Sequence, residues 1–206
     1  MIKNIIFDWS GVINDNASNV CETANDMFEQ LGGKRISLEE FRKEYQAPYM
    51  EFYNKYFPNL SMEEEQKLFS KYIVNHSDHK LYPGMRSVLE SLKSEGLNMI
   101  IFSADPKSMF LSAIDQFGLD GMFDEFYCDV HDKTEEIEKI LATHNYKGEE
   151  TVFIGDTPND SDAGKKGNTK TILVSWGFCD MSRLKSANPD YIVQTPEEIR
   201  EIILKN

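Results

Sequence analysis

Short apolar runs recur along this chain, and stretches of helical periodicity lie between most of them. The runs are Ile2–Phe7, Leu97–Phe102, Phe126–Cys128, Thr151–Ile154 and Thr171–Val174, with a weaker sixth at Tyr191–Val193. Uninterrupted runs of this length describe strands covered on both faces, which is the condition of parallel sheets. Pro83-Gly84 opens one intervening helix, with Val88, Leu89 and Leu92 on its apolar face. A second runs from about Pro106 to Phe117, a third carries Ile137, Ile140 and Leu141, and the last begins at Pro196. Strands that alternate with helices predict right-handed βαβ units and an α/β fold with a three-layer parallel sheet.

One stretch breaks the alternation. From 15 to 80 there is no strand pattern, while Ser37-Leu38-Glu39-Glu40 and Ser61-Met62-Glu63-Glu64 have the form of capping boxes that start helices. Aromatics crowd the same stretch, including Phe41, Tyr45, Phe52, Tyr53 and Phe69, as a small helical bundle requires of its core. The expected organisation is a core of residues 1–14 and 81–206 with a helical cap of residues 15–80. An insertion directly after the first strand sits over the carboxyl ends of the sheet, where it can close on a site and exclude water.

Those strand ends carry acids. Asp8 closes Ile5-Ile6-Phe7 and precedes Gly11; Asp156 follows Val152-Phe153-Ile154-Gly155. Ligands of open α/β sheets bind at carboxyl ends, and two acids there suit Mg²⁺ and a phosphorylated ligand. The net charge of −13 argues against nucleic-acid or anionic-membrane partners, since both reward Lys and Arg. Three scattered cysteines without a CxxC pair, and no basic-then-apolar leader, point to a reducing, cytoplasmic setting. No apolar run approaches the roughly 20 residues of a bilayer span. His76, His79, His131 and His144 form no i, i+4 pair, so zinc is not expected. Lys165-Lys166-Gly167 is expected to be a solvated helix end.

Taken together, Phe7-Asp8-Trp9-Ser10-Gly11-Val12, Ser103 after Met99-Ile100-Ile101-Phe102, Lys133, and Gly155-Asp156-Thr157-Pro158-Asn159-Asp160 resemble the four motifs of the haloacid dehalogenase superfamily. The resemblance covers almost the whole chain and implies a Rossmann-like core with a helical cap of the family's first class. It implies a phosphatase in which Asp8 attacks phosphorus and forms an aspartyl-phosphate. Mg²⁺ would be held by Asp8, the main-chain carbonyl of Ser10 and Asp156. Asp160 would hold a metal-bound water or the 155–160 loop, with a helix N-cap as its other reading. Ser103, through its hydroxyl and its N–H, and Gly11, with the N–H groups around it, would bind the phosphoryl group. Lys133 would bridge nucleophile and phosphate, with Lys139 as its rival. The expected partner is a small phosphorylated metabolite, and the expected state is monomer or homodimer.

The chain departs from that pattern at Ser10, where most phosphatases of the superfamily have a second Asp that protonates the leaving group and activates water. Losing such a group costs roughly 10² to 10⁴ in rate, so the activity is expected to be weakened or specialised. Asp8-Trp9-Ser10-Gly11 also looks like phosphonoacetaldehyde hydrolase. That enzyme cleaves a carbon–phosphorus bond with a cap lysine, for which Lys34 and Lys43 are the candidates. A retired, ligand- or partner-binding member is the alternative from another class.

Overall fold

The computed structural model describes residues 1–205. Six parallel strands form one sheet: β1 (Asn4–Phe7), β2 (Asn98–Phe102), β3 (Glu125–Tyr127), β4 (Thr151–Gly155), β5 (Lys170–Val174) and β6 (Tyr191–Val193). Their order is β3-β2-β1-β4-β5-β6, and Phe7 is registered with Ile101 on one side and Ile154 on the other. The order reverses at β1, so the crevice at its carboxyl end is where a ligand of such a sheet is held. Every strand expected from the sequence is present, with ends moved by one or two residues.

Alternate side chains divide the sheet's two faces. Ile5, Phe7, Met99, Ile101, Val152 and Ile154 point into one buried cluster. It is completed by α5 (Met85–Ser94), α6 (Lys107–Phe117) and α10 (Pro196–Lys205). Ile6, Ile100, Phe102 and Phe153 point into another, under α7 (Lys133–Thr143) and α8 (Pro158–Lys166). A fully covered sheet has no solvent face to encode, which is why its strands read as runs rather than alternations. The expected helix end at Lys165–Gly167 closes α8, whereas the six-residue α9 (Met181–Ser186), short and polar, was not anticipated from the sequence.

Between β1 and α5 the chain forms only helices: α1 (Ala17–Gln30), α2 (Leu38–Glu44), α3 (Tyr49–Tyr56) and α4 (Met62–Ile73), with a 3₁₀ turn at Val74–His76. Both expected capping boxes form, at Ser37/Glu40 and Ser61/Glu64. The helices enclose their own cluster around Phe28, Phe41, Phe52 and Tyr53. The two connections to the sheet run side by side: Asp15 N donates to Lys80 O at 2.7 Å and Tyr82 N to Ile13 O at 2.9 Å. A third contact comes from the loop after β5. Phe178 packs its ring against Phe41 and Tyr45, and the Arg42 guanidinium donates to Trp176 O at 2.9 Å.

Candidate active site

Asp8 stands one residue past β1, 7% exposed. Its Oδ1 accepts from its neighbour's amide, Trp9 N, at 2.7 Å and lies 2.8 Å from Lys133 Nζ. Its Oδ2 makes no hydrogen bond among the described residues. Trp9 is itself fixed against Phe110 and Phe117, so the turn after β1 is anchored by a buried ring.

Lys133 is the first residue of α7, delivered there by Asp132, whose side chain accepts from Thr134 N. Its ammonium group also donates to Asp160 Oδ1 at 2.7 Å. Burial alone would lower the Lys133 pKa, but Asp160 and Asp8 more than offset it and the net shift is upward. The rival Lys139 points away and pairs with Glu136 on the surface.

Asp156 follows β4 and is 1% exposed. Its Oδ2 accepts from Phe178 N at 2.6 Å. Carboxylate oxygens of Asp8, Asp156 and Asp160 lie within 4.8 Å of one another. Burial pushes the Asp8 carboxyl up to about 7; Lys133 pulls against that, and Asp160 and Asp105 add to it. Burial pushes Asp156 well above the carboxylate range, with Asp8 and Asp160 adding to the shift. Three buried carboxylates thus face one buried ammonium group. The imbalance and the all-oxygen donor set fit a hard divalent cation.

Asp160 serves as the third residue of α8. Its Oδ2 accepts from Asp156 N, Thr157 N and Thr157 Oγ1, closing a capping box whose N-cap is Thr157. The N-cap reading of Asp160 is therefore corrected: Thr157 holds that place, and Asp160 ties down the 155–160 loop from within the helix. Gly155 is required there, because a Cβ would overlap the Asp160 side chain.

Gly11 has φ of +76°, and a Cβ there would overlap Asp156 Oδ2, so no other residue fits without moving that carboxylate. Its own N–H is directed at Asn14 O (2.9 Å) and Asn16 Oδ1 (3.0 Å), and is not a free donor in this conformation. Ser103 N–H, expected to be available, donates to Tyr127 O at 2.8 Å as the sheet ladder continues past β2. What Ser103 offers the site is its hydroxyl.

Two residues that sequence reasoning missed meet Ser10. Its hydroxyl donates to Asp105 Oδ2 at 2.6 Å and accepts from Asn16 Nδ2 at 2.9 Å. Ser103 Oγ also donates to Asp105 Oδ2, at 2.7 Å. The available signal was an acid two residues beyond Ser103, in Ser103-Ala104-Asp105-Pro106. Gly11 is not among the residues that line the cavity, whereas the other expected site residues are brought together. Asp8, Ser10, Ser103, Lys133, Asp156 and Asp160 all line one cavity of about 330 Å³, roofed by the α1–α4 helices. Lys34 and Lys43 are both exposed, and Lys43 pairs with Glu39. Neither lines the cavity.

This sequence and this architecture have known counterparts. The sequence profile of the haloacid dehalogenase-like hydrolases matches residues 5–174, and the chain belongs to that family. It is 26% identical over 209 residues to a phosphoglycolate phosphatase of Aquifex aeolicus, across 98% of this chain and 97% of that one. It is 25% identical to a pyrophosphatase PpaX of Oceanobacillus iheyensis, across 98% of this chain and 95% of the relative. The crystal structure of a predicted phosphatase from Clostridium acetobutylicum superposes with a TM-score of 0.84 at 23% identity, over 100% of both chains.

Proposed function

We propose that this protein is a Mg²⁺-dependent phosphatase of a small phosphorylated metabolite, working through an aspartyl-phosphate on Asp8. The observation that carries the reading is Asp8 itself. One oxygen is held by Trp9 N–H and Lys133 while the other is unpaired, at the floor of a cavity sized for a small ligand. Mg²⁺ would be held by Asp8, the Ser10 main-chain carbonyl and Asp156, with Asp160 behind them, and would supply positive charge to the phosphoryl oxygens. Asp8 Oδ2 attacks phosphorus as the bond to the leaving oxygen breaks, and water then cleaves the aspartyl-phosphate to release phosphate and free Asp8, while Lys133 keeps the carboxylate oriented and offsets its charge. The Ser103 hydroxyl is placed to turn from Asp105 to a phosphoryl oxygen.

The missing acid/base carboxylate has a substitute within one hydroxyl. Ser10 Oγ–H points at Asp105 Oδ2, so a proton can pass between Asp105 and a reacting oxygen by way of Ser10. This arrangement favours a working enzyme over a retired one. The exposed positions of Lys34 and Lys43 remove the support for a phosphonate-cleaving site.

The test is phosphate release from a panel of phosphorylated metabolites with and without Mg²⁺, in the parent and in Asp8→Asn. Mg²⁺-dependent turnover that disappears in Asp8→Asn is expected. Turnover of Asp8→Asn within about tenfold of the parent, where loss of the nucleophile removes the covalent route, would overturn the reading.

A further inference from the structure

Glu65 is the fourth residue of α4, after Glu63 and Glu64. Those two behave as first-turn glutamates do: Glu63 pairs with Lys67 in solvent and Glu64 closes the capping box with Ser61. Glu65 differs. It is 3% exposed, it lines the roof of the cavity, and its carboxylate has no hydrogen-bond or ion-pair partner among the described residues. A buried carboxyl without a partner is costly. Burial alone pushes its pKa up to about 7.

The rest of the roof is mostly apolar and aromatic, with Tyr45, Tyr49, Tyr53 and Phe69 around the same space and Gln66 and Ser70 beside them. Lys133 is the one Lys or Arg among the residues lining the cavity, and it is already shared by Asp8 and Asp160. Beyond the phosphate-binding floor the cavity therefore offers carboxylates, aromatic faces and the His131 imidazole, with no unshared Lys or Arg among the described residues. Phosphoglycolate and pyrophosphate, which appear in the names of two relatives, each carry a second anionic group. Such a group would meet Glu65 with no unshared Lys or Arg of the lining to neutralise it.

We infer that Glu65 selects a phosphomonoester whose leaving group carries a compact ammonium group, as in an aminoalkyl phosphate. The inference rests on the phosphatase reading above and names its substrate class. Phosphate sits on the floor near Asp8. The ammonium group reaches the roof, donates to the Glu65 carboxylate and packs against the tyrosine faces. Glu65 is a specificity residue and takes no part in the bond-breaking step.

The experiment compares three esters of matched length with Mg²⁺ and the full chain: 2-aminoethyl, 2-hydroxyethyl and carboxymethyl phosphate. The parent is expected to favour the aminoethyl ester over the carboxymethyl ester by at least about tenfold in kcat/KM, since an unpaired buried charge discriminates strongly. Glu65→Gln, close to isosteric, should lose at least about fivefold more kcat/KM for the aminoethyl ester than for the hydroxyethyl ester. Preference for the carboxymethyl ester, or an equal loss for all three, would overturn the inference. Calorimetry with the non-hydrolysable 2-aminoethylphosphonate separates it from the phosphatase reading. If no ester turns over but the phosphonate binds the parent and not Glu65→Gln, the selectivity stands and the phosphatase reading falls. If the phosphonate binds neither protein, or both equally, the inference falls.

Discussion

Ser10 and Asp105 follow two neighbouring strands and share one hydrogen bond, so on the proposed proton path their substitutions should not add. Ser10→Ala and Asp105→Asn are each expected to lower kcat by about 10- to 100-fold, within the usual range for acid–base groups. The double variant should be no slower than the worse single one. Additive losses would mean that the two residues work separately. Glu65 gives a pH prediction of definite sign. Its folded carboxyl holds a proton up to about 7, whereas in the unfolded chain it returns to the ordinary Glu value near 4.3. A raised folded pKa adds stability below the unfolded value, and that stability is lost as pH rises through about 7. Glu65→Gln should therefore melt closest to the parent at about pH 4 and furthest above it at about pH 8, a window set by these two pKa values. A gap that narrows with pH would contradict the placement of this carboxyl.

At the level of elements, the strands, the four carboxyl-end positions and the helical insertion were legible in the sequence. Burial on both faces and capping chemistry leave local marks. What pairs across elements was not legible. Nothing near Asp105 announces Ser10, which lies 95 residues away and is reached only because β1 and β2 are neighbours. Glu65 is indistinguishable from Glu63 and Glu64 until α4 is rotated into place over the cavity. The same logic explains Ser103, whose amide was expected to be free but continues the ladder to Tyr127. The paired connections at Ile13–Asp15 and Lys80–Tyr82 would be the hinges of a moving α1–α4 unit. Hydrogen exchange there should slow when a phosphate analogue and Mg²⁺ are bound together. No protection at either connection would argue for a fixed roof.

For the whole molecule, stacking Asp8, Asp156 and Asp160 in a buried site stores repulsion that a divalent cation relieves. Adding Mg²⁺ should raise Tm, and Asp156→Asn should abolish that response while raising Tm without metal, because a buried charge is removed. A full Mg²⁺ shift in Asp156→Asn would place the cation elsewhere. Phe178 extends this effect beyond the site. Its ring belongs to the roof cluster, and its amide donates to Asp156 Oδ2. A displacement of the roof that drags Phe178 also withdraws a donor from a carboxylate that would ligate metal. By reciprocity, any preference of the cation for one roof position equals the preference of that position for the cation. An ion with such a preference would act on the roof as well as aid the proposed chemistry. Mg²⁺ alone, with no phosphate, should shift protection in α2, and its titration midpoint should match calorimetry in the parent and separate from it in Phe178→Ala. If both hold, the protein would read the supply of a divalent cation as a conformational input before any substrate arrives.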